Sequence, residues 1–175
     1  MSLPDGFRIV RRDVSFAPQL ANLFEHYLHD MAEWFQFDTG PDGAYRYPVH
    51  GCWQDDGVVY VPYAGNIPIG FAAVAWLAAE DQAECRDMKE FFVVRRHRHG
   101  GVADALAGHV WDRHPGPWVV RVYRGNRPAL PFWRRAVAAH SSGAFSETEQ
   151  QSNDKSWSYF SFVSDPVNRE TTPSS

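Results

Sequence analysis

The stretch that most limits what this chain can become runs from Glu90 to Val110, EFFVVRRHRHGGVADALAGHV. It opens as an apolar strand, crosses a turn of arginines and histidines, reaches Gly100-Gly101, and continues with Val102, Ala105, Leu106 and Val110 at helical spacing. A helix that starts on glycines exposes backbone N–H groups with no intrahelical partner, and its dipole adds partial positive charge at the same point. An anion fits there. Glycine lets its oxygens approach the backbone, and Arg95, Arg96 and Arg98 can add charge-assisted contacts. The Lys-Ser/Thr of a P-loop is missing and the spacing is not Gly-x-Gly-x-x-Gly, so neither nucleotide fingerprint is present. A solvated basic turn or a nucleic-acid patch is the plainer reading, but a nucleic-acid patch calls for interleaved aromatics that this run lacks.

Around this stretch the pattern is mixed. FRIVRR (7–12) alternates as a strand, and Ser15 is expected to cap a helix with the apolar face Leu20, Leu23, Phe24, Tyr27 and Met31. DTGPDGAYRYPVHG is a long loop, and two strands follow, GVVYVPYAG and IPIGFAAVAWLAA, turning at Gly65-Asn66. MKEFFVV is the next strand, and Pro115 ends the helix after it. WVVRVYR precedes a helix over NRPALPFWRRAVAAH, whose Pro128 and Pro131 suit a first turn, and GAFSETEQ with SWSYFSFVS form a hairpin. The order predicts one α/β domain, α+β mixed, over 1–164, with a mostly antiparallel sheet of about six to seven strands. Residues 165–175 are expected to be a mobile tail.

The chain is long enough for a real core, and its 44% hydrophobic content with seven Trp argues against disorder. Cys52 and Cys85 lie 33 residues apart with no metal spacing, which favours a reducing cytoplasm. His97, His99, His109 and His114 do not converge on one face, so no metal is expected. No signal-peptide pattern opens the chain and no apolar run nears the roughly 20 residues of a membrane span. Net charge is −4, yet residues 86–135 carry +7 and the rest −11. From Glu25 to Asp56 seven acids and one Arg are interleaved with seven aromatics, a composition suited to a cation, or simply to core aromatics with solvated acids.

Arg98-His99-Gly100-Gly101-Val102-Ala103 resembles the acetyl-CoA motif Gln/Arg-x-x-Gly-x-Gly/Ala of the GNAT N-acetyltransferase superfamily. GNRPALPFWRRAV resembles the segment after the next strand in that family, with Asn126, Ala129, Phe132 and Trp133 in register. Together these look like a bacterial subgroup of predicted acetyltransferases, by motif from about Val58 to Val137. The resemblance implies a splayed strand pair that admits acetyl-CoA, with the pyrophosphate on the N–H groups of Arg98 to Ala103 and pantetheine along Phe92, Val93 and Val94. An N–H of Val93 or Val94 would polarise the thioester. Asn126 would touch the pantetheine, hold the splay open, or merely cap its helix, and Phe132 and Trp133 would border the cofactor.

The resemblance further implies direct acetyl transfer to an amine in a ternary complex, without an acyl-cysteine. Glu90 is the candidate base, acting directly or through water, beside the plainer reading of a strand-edge carboxylate. Where many relatives have an acid Tyr this chain has Trp133, which suits packing, so Tyr123 becomes the candidate acid. The acid and aromatic region beside the acyl end implies a small cationic acceptor held by Glu33, Asp38, Tyr45 and Tyr47. A non-catalytic CoA-binding or basic interaction module on the same fold is the alternative. No nucleic acid or membrane partner is expected, and a homodimer is left open.

Overall fold

Alternating apolar residues build the strands of this chain, and the computed structural model describes residues 6–79 and 82–165. In chain order the elements are β1 Phe7–Arg12, α1 Ala17–Phe35, β2 Val58–Ala64, β3 Ile67–Pro68, β4 Gly70–Ala79, β5 Gln82–Val93, α2 Val102–Arg113, β6 Gly116–Tyr123, α3 Ala129–His140, β7 Phe145–Ser152 and β8 Lys155–Ser164. The sheet runs β1-β2-β4-β5-β6-β8-β7, with β3 appended to β2. Its pairs are antiparallel except β5 with β6, which run parallel.

The sheet has a core on each face. On one, Leu106, Val110 and Trp111 of α2 and Val137 of α3 pack against Met88, Trp118, Val120 and Phe160. On the other, Leu20, Leu23 and Phe24 of α1 cover Val59, Val61, Phe71 and Phe92. Phe24 stacks on Phe71 with centroids 4.4 Å apart. Each such side chain contributes roughly 1.5–3 kcal/mol on leaving water.

Two irregularities shape the site. In β5 the partner of Ala73 is Glu90 and the partner of Val74 is Met88, so Lys89 is an inserted residue. Because strand residues alternate faces, this bulge turns Met88 into the α2 side while Glu90 faces α1. The second is the parallel pair itself. β5 and β6 are joined only at Arg86 with Trp118 and Asp87 with Val119, and beyond these the strands part.

Several expectations need correction. Asp13, not Ser15, caps the chain before α1: its carboxylate accepts from the Ser15 N–H at 2.9 Å and from the Ser15 hydroxyl, closing a 3-10 turn over Val14–Phe16. The described residues form eight strands, because Pro68 cannot donate to a ladder and IPIGFAAVAWLAA divides into β3 and β4. β5 begins at Gln82, earlier than MKEFFVV suggests, since the long β4 offers it a partner. Helix α3 begins at Ala129 with Pro128 at its cap, so Asn126 lies in the preceding turn. β8 ends at Ser164, and the tail from 166 onward lies outside the described residues. No helix among the described residues is long and apolar enough to cross a membrane.

Candidate active site

Where β5 and β6 part, a cavity of about 970 Å³ runs from the glycine loop to the face covered by α1. Its glycine end is made by the sequence motif. Gly101 caps α2 with φ 76° and ψ 0°, a left-handed conformation that favours glycine, and an added Cβ there would meet nothing within 4 Å. Arg98, His99, Gly101 and Ala103 line the cavity, whereas Val102 is fully buried as a core contact.

Arg98 does more than carry charge. Its Nε donates to the Val93 carbonyl at 2.7 Å, and its guanidinium pairs with Asp30 of α1. Arg95 pairs with the same carboxylate at 2.7 Å, which lowers the Asp30 pKa below the ordinary range although burial opposes this. Asp30 therefore fastens the motif loop to the first helix.

The backbone of β5 separates the two oxyanion candidates. The Val94 N–H donates to Ile69 at 2.9 Å, on the β4 side, so it is engaged. N–H groups alternate sides along a strand, and the Val93 carbonyl already points to Arg98, so Val93 presents its polar groups to the open split. Phe91, Phe132 and Trp133 pack together along this wall, with Phe91 and Trp133 centroids 4.8 Å apart. Trp133 is buried, and it borders the cavity through its ring, as Asn126 does from the β6–α3 turn.

At the other end stands Glu90. The Tyr27 hydroxyl donates to its Oε2 at 2.7 Å and the Tyr47 hydroxyl to its Oε1 at 2.9 Å. Burial raises the Glu90 pKa above the ordinary carboxylate range, while the two tyrosine hydrogen bonds and the charge of Lys89 oppose the shift. Burial and the negative charge of Glu90 together push both tyrosines above their usual range, so they stay protonated as donors. The nearby Cys52 thiol is pushed up to about 11, chiefly by burial, and is not a thiolate nucleophile. A carboxylate so placed can accept a proton from a group arriving in the split.

Tyr123 also lines the cavity, wedged against Phe35 and Trp157 at 5.1 and 5.6 Å between centroids. Gly125 makes room for it, since an added Cβ would lie 2.3 Å from the ring. The acceptor residues expected from sequence separate. Tyr47 reaches Glu90 and stacks on Phe24 at 4.3 Å. Tyr45 packs on Phe37 outside the cavity, and Glu33 and Asp38 are exposed and do not line it.

Sequence reading missed Tyr27, Asp30, Arg121 and Lys155. Tyr27 and Asp30 share the helical stripe of Met31, so a hydroxyl and an acid in an otherwise apolar face were the available signal. Among the described residues no three His, Cys, Asp or Glu side chains converge as a metal site.

No family model matches the chain, and no curated protein sequence matches it. Solved structures do. The spermidine N-acetyltransferase of Vibrio cholerae, solved with CoA and spermine, superposes with a TM-score of 0.61 at 9% identity over 92% of this chain and 97% of that one. The ribosomal-protein-S18-alanine N-acetyltransferase of Escherichia coli gives a TM-score of 0.61 at 12% identity over 94% and 98%. A protein of Desulfovibrio desulfuricans assigned to the GNAT family as an acetyltransferase gives a TM-score of 0.58 at 14% identity over 90% and 98%. The chain has the GNAT N-acetyltransferase fold.

Proposed function

We propose that the protein is an N-acetyltransferase that moves the acetyl group of acetyl-CoA to a primary amine by direct attack in a ternary complex. The observation that carries this reading is the parting of β5 and β6 with Glu90 at its inner end, held by two tyrosine hydroxyls. Parted strand edges leave N–H and C=O groups without ladder partners, and the amides of a pantetheine arm can satisfy them. Neighbours of the same fold solved with CoA support that occupant. The pyrophosphate then rests on the N–H groups between Arg98 and Ala103, near Gly101.

In this arrangement the Val93 N–H polarises the thioester carbonyl. The acceptor arrives as an ammonium and gives its proton to Glu90, directly or through water. The amine nitrogen attacks the carbonyl carbon, the C–S bond breaks, the thiolate takes a proton from Tyr123, and the second proton shed by the nitrogen as it becomes an amide returns through water to the Tyr123 phenolate. The reacting nitrogen is thus cationic on arrival, which supports a small cationic acceptor, and Glu90 and Tyr47 rather than Glu33, Asp38 or Tyr45 receive it. A buried carboxylate with a raised pKa favours catalysis over a non-catalytic CoA-binding module. The buried Cys52 and partly buried Cys85, both unpaired, support the cytoplasm as compartment.

Calorimetric titration with CoA, followed by thiol release from acetyl-CoA across a panel of amines, tests the proposal. Binding with amine-dependent release is expected. Binding without release for any amine would leave only the CoA-binding module.

A further inference from the structure

We infer that the acceptor is a small zwitterion, a primary amine with an anionic group on an aromatic or similarly apolar body, because the acceptor end of the cavity pairs Glu90 with Arg121 and Lys89 between aromatic walls. This rests on the N-acetyltransferase reading above, keeps its ammonium as the reacting group, and replaces its cationic acceptor with a zwitterion.

The negative charges of the cavity are nearly all engaged. Of the acids that line it, Asp30 is paired with Arg95 and Arg98, and Asp104 with Arg135 at 2.9 Å. Glu90 remains, with two tyrosine donors and no ion-pair partner among the described residues. One ammonium is therefore served.

A second cation meets an occupied site. The Lys155 ammonium lies 5.3 Å from the Phe35 centroid and 5.2 Å from that of Tyr123, and donates to the Trp34 carbonyl at 3.3 Å. That aromatic corner already holds a cation from the chain itself, at the carbonyl end of α1 where positive charge is favoured. A polyamine brought there would face like charge.

Positive groups line the same end. Val120 and Val122 are buried on the α2 side, so Arg121 and Tyr123 project to the α1 face with Glu90. Arg121 stands two residues beyond the last β5–β6 pairing, across the split from Glu90. Asp87, 2% exposed, accepts from one Nη of Arg121 and holds its fork, Tyr159 also hydrogen-bonds the guanidinium, and Arg121 lines the cavity. Lys89, thrown out by the bulge, lines the cavity without an ion-pair partner among the described residues. An anionic group on the acceptor finds the free ammonium of Lys89, beside a guanidinium whose charge is already shared with Asp87. Trp34, Phe37 and Trp157 supply flat apolar walls for the body between the two charges.

The test compares matched amines in the thiol-release assay: phenylalanine with phenethylamine, tryptophan with tryptamine, and putrescine as a dication. The carboxylated member of each pair should have the higher kcat/KM by at least about tenfold, through KM. Arg121→Gln and, separately, Lys89→Gln should each shrink that ratio by about tenfold or more, and Arg121→Lys should restore part of it. Arg121→Gln leaves Asp87 unpaired, so Lys89→Gln, on an exposed side chain, is the arm that does not depend on folding. Turnover that favours putrescine or the decarboxylated amines, or ratios unmoved in both Gln variants, overturns the inference while the acetyltransferase reading stands. No release with any amine, with CoA still bound, overturns both.

Discussion

Replacing Glu90 with Gln tests the proposed chemistry most directly, because the structure separates its effect on rate from its effect on folding. The side chain keeps its size, one oxygen still accepts a tyrosine hydrogen bond, and the other hydroxyl can rotate to accept from the new amide. The folded-state pKa of Glu90 is raised, so its stabilising contribution is full below the unfolded value and lost as pH rises through the folded one. At neutral pH the charge is a cost that Gln removes, and the variant should melt at the same temperature as the wild type or higher. The rate should fall by about 10² to 10⁴, the usual worth of a positioned base, or roughly 3 to 5 kcal/mol on the barrier. CoA affinity, measured by calorimetry, should stay within about twofold, since the glycine loop lies at the far end of the cavity. Thiol release at saturating acetyl-CoA from pH 5 to 9 supplies the second readout: the wild-type rate drops on the acid side as Glu90 takes up its proton, and the variant lacks that limb. A folded variant within about threefold of wild type, or one that keeps the acid limb, would refute the assignment of Glu90 as the base.

Gly101→Val should weaken CoA binding by at least about tenfold, or 1.4 kcal/mol, and Gly101→Ala separates backbone strain from bulk, because φ is 76° and the Cβ position is open. Gly125→Ala drives a methyl to 2.3 Å from the Tyr123 ring, and should cost about 1–3 kcal/mol in denaturant titration while lowering kcat as the phenol is displaced. Burial lowers His109 and His114 from 6.5 to about 4, so the unfolded chain binds protons that the folded one refuses: stability should be full above pH 6.5 and fall towards pH 4, and His114→Gln should remove about half of that fall in melting temperature, leaving the share of His109.

The glycine loop was legible because its requirements are local: a strand end, a left-handed turn and a helix start follow each other in one short run. The apolar faces of α1 and α2 were legible for the same reason. The α1 side of the cavity was not. Charge counted along the chain placed Glu33 at the site, but Tyr27, Asp30, Met31 and Trp34 form the stripe that lines the cavity, and Glu33 stands six residues from Tyr27, about 240° round the helix. The bulge at Lys89 was hidden too, since an inserted residue in a run of mixed side chains leaves the apolar pattern readable in either register. Asp87 with Arg121 and Trp34 with Lys155 are pairings across the fold, which no spacing announces.

The contact between Lys155 and the end of the first helix spans 121 residues of chain. Contacts of such separation carry a large loop-closure entropy and form only once the intervening strands are in register. The glycine loop, by contrast, joins a strand and a helix that are neighbours in sequence. In chain order Trp34 and Phe35 precede the glycine loop, and their partners Lys155 and Trp157 follow it in β8. The cavity gains this wall only when β8 pairs with β6, so extending the sheet and closing that side of the cavity are one event.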